Sequence, residues 1–167
     1  YVFDAKGMKG KCLLLRDYES GWILPEKFDV KSGDMTIDFF FKNRSPHLPG
    51  SKMQWDILRG NLEGGQCFWM FFDPSSGKMI FAVGKQKGSK IDWNIRLASG
   101  TDRWPADIWQ KISLSFGKSG IKLTVDGREE IASPQKMFFR SMENFQLGRR
   151  WVSTGYYDEL RVFDGLK

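Results

Sequence analysis

The feature that most constrains this chain is its period. Alternation of apolar and polar residues with a repeat of two runs through nearly every segment, and the 3.6-residue repeat of an amphipathic helix is hard to find. In "DMTIDFFFKN" Ile37, Phe39 and Phe41 share one face, with Thr36, Asp38, Phe40 and Lys42 on the other. "WQKISLSFG" aligns Ile112, Leu114 and Phe116, and "GIKLTVDG" aligns Ile121, Leu123 and Val125. "IDWNIRLAS" sets Ile91, Trp93, Ile95 and Leu97 together, against Asp92, Asn94 and Arg96. "QCFWMFFD" is apolar on both faces, the pattern of a strand covered on both sides. The runs are separated by "LEGG", "DPSSG", "GKSG" and "VDG", which carry turn-forming Gly, Pro, Asp and Ser. The short "GKSG" gap predicts a hairpin over 109–126. Many short strands with such punctuation predict an all-β, antiparallel two-sheet sandwich or a barrel.

A chain of 167 residues, 41% hydrophobic and 28% charged, predicts one soluble domain with a sizeable core. There is no internal repeat, linker or low-complexity tract. The longest loops fall at 43–54 and 99–108, and loops on a rigid β scaffold are where binding commonly sits. Aromatic residues reach 15%, with seven Trp, enough to fill a core and leave candidates for an exposed platform.

The balance of 26 basic to 20 acidic residues gives +6, but the basic residues are scattered. That pattern suits a solvated surface with a weak pull on polyanions, and it does not point to specific nucleic-acid binding. Cys12 and Cys67 form no metal or redox motif; they are either one disulfide or two buried thiols. No stretch reaches the roughly 18 apolar residues of a membrane helix. A chain that starts at Tyr1 without a leader-like segment reads as a processed product or as one domain of something longer.

The ordered set of segments resembles the laminin-G-like domains, which are concanavalin A-like jelly rolls. "WQKISLSFGKSGIKLTVDGREEI" is similar to their Trp-strand-turn-strand-Asp-Gly unit, and "FQLGRRWVSTGYYDELRVFDGLK" to their closing unit. "GKCLLL" and "SGDMTIDFFFKN" resemble two of their early strands, with Phe40 where Trp is common. After Trp109 stand Gln110 and Lys111 in place of the common His pair, and the usual lead-in strand is short. The resemblance implies two curved antiparallel sheets packed face to face over residues 1–167.

It also implies a role for Asp158. In many such jelly rolls an Asp opening the last strand helps hold a structural calcium ion with backbone carbonyls, and Asp4 would add a second carboxylate if the two ends of the chain pair. The alternative is that Asp158 caps its own loop or pairs with Arg161 or Arg150. Trp109 is expected to start a core strand, and Asp126-Gly127 to form a hairpin turn.

Candidate ligand residues are aromatic rings in loops or at strand ends: Trp22, Trp55, Trp104, Trp151, Tyr156 and Tyr157. A sugar presents a face of C–H groups to such a ring, while its hydroxyls need polar partners. Trp104 stands beside Asp102 and Arg103, and Trp151 follows Arg149 and Arg150; these arginines also suit a carboxylate or sulfate. Against this, each ring can equally cover the rim of the core. His47, the lone histidine, sits in a Pro-rich loop with no companion for a metal site. No paired carboxylates at glycosidase spacing, no nucleophile elbow and no phosphate-binding glycine loop occur.

The expectation is a non-catalytic domain that binds a polysaccharide or other glycan, acidic ones included, in an exported or surface multi-domain protein. The fold class alone does not carry that step. The competing readings are a protein-interaction or spacer domain packed on other parts of its parent chain, and an unrecognised polysaccharide-degrading enzyme.

Overall fold

The computed structural model describes residues 2–7, 10–15, 22–24, 27–50, 54–88, 90–148 and 155–166, with the backbone alone for the first three stretches. Two seven-stranded sheets form a sandwich. Sheet A runs β1 (Val2–Gly7), β2 (Gly10–Leu15), β14 (Gly155–Asp164), β5 (Asp34–Asn43), β10 (Trp109–Gly117), β11 (Gly120–Val125) and β12 (Arg128–Ser133). Sheet B runs β3 (Trp22–Leu24), β13 (Ser141–Leu147), β6 (Trp55–Leu62), β7 (Gln66–Phe72), β8 (Met79–Lys87) and β9 (Lys90–Ala98), with β4 (Phe28–Asp29) also paired to β13. Every strand pair is antiparallel. The two-residue alternation therefore built what it predicts. Ile37, Phe39 and Phe41 of β5 and Ile112, Leu114 and Phe116 of β10 face Phe68, Met70 and Phe72 of β7 and Phe81 of β8 in one core.

Turn chemistry sets the register. Gly117 pairs with Gly120 in the expected hairpin. Asp126 and Gly127 both take positive φ (52° and 80°), the conformation of a tight two-residue hairpin turn, and Val125 pairs with Arg128 across it. The two ends of the chain do meet, because β14 pairs with β2 on one side and β5 on the other.

Trp109 opens β10, a core strand, as expected, with its ring outside the core, edge-on to Tyr156 at 6.3 Å and under the Lys42 ammonium at 5.1 Å. One placement differs from the sequence expectation, and it lies in β9. The β8–β9 register steps from Val83–Ile95 to Gly84–Trp93, so Asn94 is an extra residue in the ladder. Such a bulge turns everything beyond it onto the other face. Ile95 and Leu97 pack on the core as expected, while Ile91 and Trp93 line the outer surface of sheet B.

Candidate functional site

At the loop end of the sandwich the two long loops bind each other. His47 N donates to Trp104 O and Trp104 N donates to His47 O, both at 2.9 Å. The pairing carries the Trp104 ring inward, against Phe72 at 5.6 Å, and its Nε1 donates to Gly77 O at 3.1 Å. Trp104 is 1% exposed, so the expectation that it offers a stacking face is overturned: a loop tryptophan is sealed once a second loop zips onto its backbone. Asp102 is half-buried and Arg103 exposed beside it, with no open ring between them.

His47 is buried too, stacked on Phe72 at 4.7 Å, with Nε2 3.3 Å from Asp73 O. Burial lowers its pKa, against the opposing pull of the Asp73 carbonyl and carboxylate. Asp73 opens the "DPSSG" turn. Its burial alone would raise its pKa, but the Ser75 and Ser76 hydroxyls, the Ser76 N–H and Arg96 outweigh that and bring it to about 2.

The remaining candidates scatter. Tyr157 is buried, its hydroxyl donating to Ile57 O at 2.9 Å, and burial pushes its pKa well up. Trp55 packs against the core, 5.4 Å from His47. Tyr156 sits on the outer face of sheet A with the Lys42 ammonium 4.2 Å over its ring, so that face is already engaged by a cation. Arg149, Arg150 and Trp151 lie outside the described residues, as does the side chain of Trp22.

Asp158 sits opposite Phe40 within β14, where the register to β5 shifts and Glu159 takes φ 49°. Its Oδ1 accepts from Glu159 N at 2.8 Å, so the carboxylate serves the backbone of its own bulge. Asp4 lies on β1, with β2 between it and β14. Among the described residues no three carboxylate, imidazole or thiol side chains come together to hold an ion. The side chain of Asp4 lies outside the described residues, so of the two carboxylates that the resemblance implies for calcium only Asp158 is described.

What the sequence did not single out is the outer face of sheet B. Its strands carry two rows across the sheet. One runs Gln146, Arg59, Trp69, Ala82, Arg96; the other runs Asn61, Cys67, Gly84, Trp93. The outward positions of β8 shrink from Ile80 to Ala82 to Gly84. That leaves a trough over which Trp69 leans from β7 and Trp93 from β9, bringing the rings to 5.8 Å with 36° between their planes. A Cβ on Gly84 would lie 3.0 Å from the Trp93 ring and 2.6 Å from Ile91 Cγ2, so only glycine lets them lie there.

Beside the rings opens a groove of about 650 Å³. Trp93, 38% exposed, forms one wall with Ile91 and Gln86; Arg59, Asn61, Asn144 and Gln146 supply polar groups on the other side. Arg59 Nε donates to Gln146 Oε1 at 2.6 Å. Cys67, a free thiol in this lining, has its pKa raised by burial against the opposing effects of Arg59 and the Gly84 backbone. Two signals for this site were present in the sequence: "QCFWMFFD" needs something outside Trp69 and Phe71, and a glycine inside a strand often marks a bulge.

Arranged this way, the molecule can be set beside known proteins. No known family profile matches the chain, and no curated protein matches by sequence. Solved structures do match. The carbohydrate recognition domain of Emp47p superposes with a TM-score of 0.63 at 10% identity, over 96% of this chain and 86% of that one. Mouse laminin α1 domains LG4-5 give 0.62 at 17%, over 87% of this chain and 39% of that one. Trypanosoma rangeli sialidase gives 0.59 at 12%, over 92% of this chain and 25% of that one, so the chain spans only a quarter of that enzyme. At such identities the likeness is one of fold, and the fold is the concanavalin A-like jelly roll that the sequence resembles.

Proposed function

We propose that this domain binds carbohydrate in the groove on the outer face of sheet B, without chemistry of its own, within an exported protein that carries other domains. The observation that carries the reading is the Trp69–Trp93 pair, a half-buried ring and an exposed one side by side next to Arg59, Asn61, Asn144 and Gln146. Aromatic faces take the C–H face of a sugar, and amide and guanidinium groups satisfy its oxygens. That Emp47p carries a carbohydrate recognition domain of the same fold supports the class of ligand.

An enzyme is the weaker reading. Among the described residues lining the groove, Arg59 and Cys67 are the only ionisable ones; neither a carboxylate nor a histidine is there to act as acid or base.

The test is retention by immobilised polysaccharides, with Trp93→Ala and Trp151→Ala compared against the parent protein. Retention by at least one polysaccharide, lost in Trp93→Ala with an unchanged melting temperature, supports the groove. Loss in Trp151→Ala alone moves the site to the Arg149–Trp151 segment. A panel negative throughout favours a protein-interaction domain.

A further inference from the structure

The groove has a chemical bias that stacking alone does not explain, and the inference drawn from it rests on the carbohydrate reading above. Its polar lining is rich in donors. Arg59 has five N–H donors and no acceptor. The side-chain oxygen of Gln146 already accepts from Arg59 Nε, so what Gln146 has left to offer a ligand is its NH₂ group. Asn61, Asn144 and Gln86 each bring donor and acceptor together. No carboxylate stands among the described residues of the lining.

Neutral sugars are clothed in hydroxyls that both donate and accept, and a carboxylate in the site is the strongest way to receive their protons. The described lining lacks one and presents a guanidinium in its place. The exposed lysines of the β8–β9 hairpin, Lys85, Lys87 and Lys90, stand on its other face, in the same alternation as Val83, and Lys87 pairs there with Asp92 at 2.7 Å, so the bias of the groove rests on its own lining.

We propose that the groove selects anionic sugars: the ring lies against Trp69 and Trp93, and the Arg59 guanidinium takes the anionic group. Arg59 and Trp69 are direct cross-strand neighbours, so ring and anion of one sugar residue fall within reach of both. Gln146 is a positioning residue, holding the guanidinium on the face of the sheet through its Oε1. The anionic group is a carboxylate or a sulfate ester; both accept paired N–H bonds from arginine.

Affinity electrophoresis of the full chain through gels containing a polyuronate, a sulfated glycan or a neutral glucan tests this. The parent protein should bind one of the two anionic polymers at least about tenfold more tightly than the neutral one, and the stronger of the two names the anion. Arg59→Gln should reduce that preference by about tenfold, weakening the anionic polymer far more than the neutral one. Trp93→Ala should lose the anionic polymer as well.

Equal binding of neutral and anionic polymers that is abolished by Trp93→Ala overturns the anion preference and leaves the groove standing. Anionic binding that survives Trp93→Ala undiminished is attraction to the basic surface at large, and sinks the proposal together with the groove. Anionic preference lost in Trp93→Ala but unaffected by Arg59→Gln removes Arg59 from its role. No binding to any polymer overturns both readings.

Discussion

The loop end of the sandwich and the outer face of sheet B spend the same residue type on opposite purposes. At the loop end Trp104 is 1% exposed, its backbone paired to His47 and its indole bonded to Gly77 O. On sheet B Trp93 is 38% exposed and leans over Gly84 toward Trp69. The loop residue is a core residue, and the strand residue is a surface platform. What separates them is which backbone each is joined to. A loop that finds a second loop can satisfy its N–H and C=O groups and be buried like a strand. A strand with one extra residue turns its side chains out.

Variants can break this contrast or sharpen it. The largest effect should come from Trp104→Ala, which empties a fully packed site and orphans Gly77 O. A loss of about 3–5 kcal/mol is expected in denaturant unfolding. A variant as stable as the parent would mean that the loop end is no part of the core. Trp93→Ala, by contrast, should leave stability nearly unchanged while it removes carbohydrate retention.

Gly84→Ala comes next. Its Cβ would lie 2.6 Å from Asp92 O and 3.0 Å from the Trp93 ring, so the hairpin must shift. A cost of about 1–3 kcal/mol is expected from the crowding, together with weaker binding in the groove. Normal binding with normal stability would show that Trp93 does not depend on the trough.

The smallest effect is electrostatic. The pKa of His47 is held below its ordinary 6.5 in the folded chain, so the unfolded chain takes up the proton first. Stability should therefore fall as pH is lowered from 6.5 toward the folded value, and melting temperature across that window measures it. His47→Phe should flatten the slope there. Asp73, held at about 2, acts in a separate window: its contribution is complete above 3.8 and disappears as pH falls through about 2. A slope that survives His47→Phe would assign the titration to another group.

Much of the fold was legible because a strand's period is local. The faces of β5, β10 and β11 follow from spacing alone, as do the Gly117–Gly120 hairpin and the Asp126-Gly127 turn. The candidate site was less legible. Of the rings singled out, Trp104 and Tyr157 are buried and Tyr156 already carries Lys42, while Trp69 and Trp93 passed as ordinary strand residues. Alternation read through "IDWNIRLAS" keeps Trp93 beside Ile95, because nothing within that segment announces the extra Asn94; the hint, Gly84, lies on the neighbouring strand.

The sequence by itself determined that this chain is a two-sheet antiparallel sandwich, where its main hairpins turn, and which residues of most strands face inward. These depend on neighbours two to four residues apart. Only the tertiary structure decided which tryptophans are open. That depends on contacts between distant segments: one loop pairing with another at His47 and Trp104, and one bulge set by the register of β8 against β9. A side chain's exposure is a property of what folds over it, and the chain around it does not carry that information.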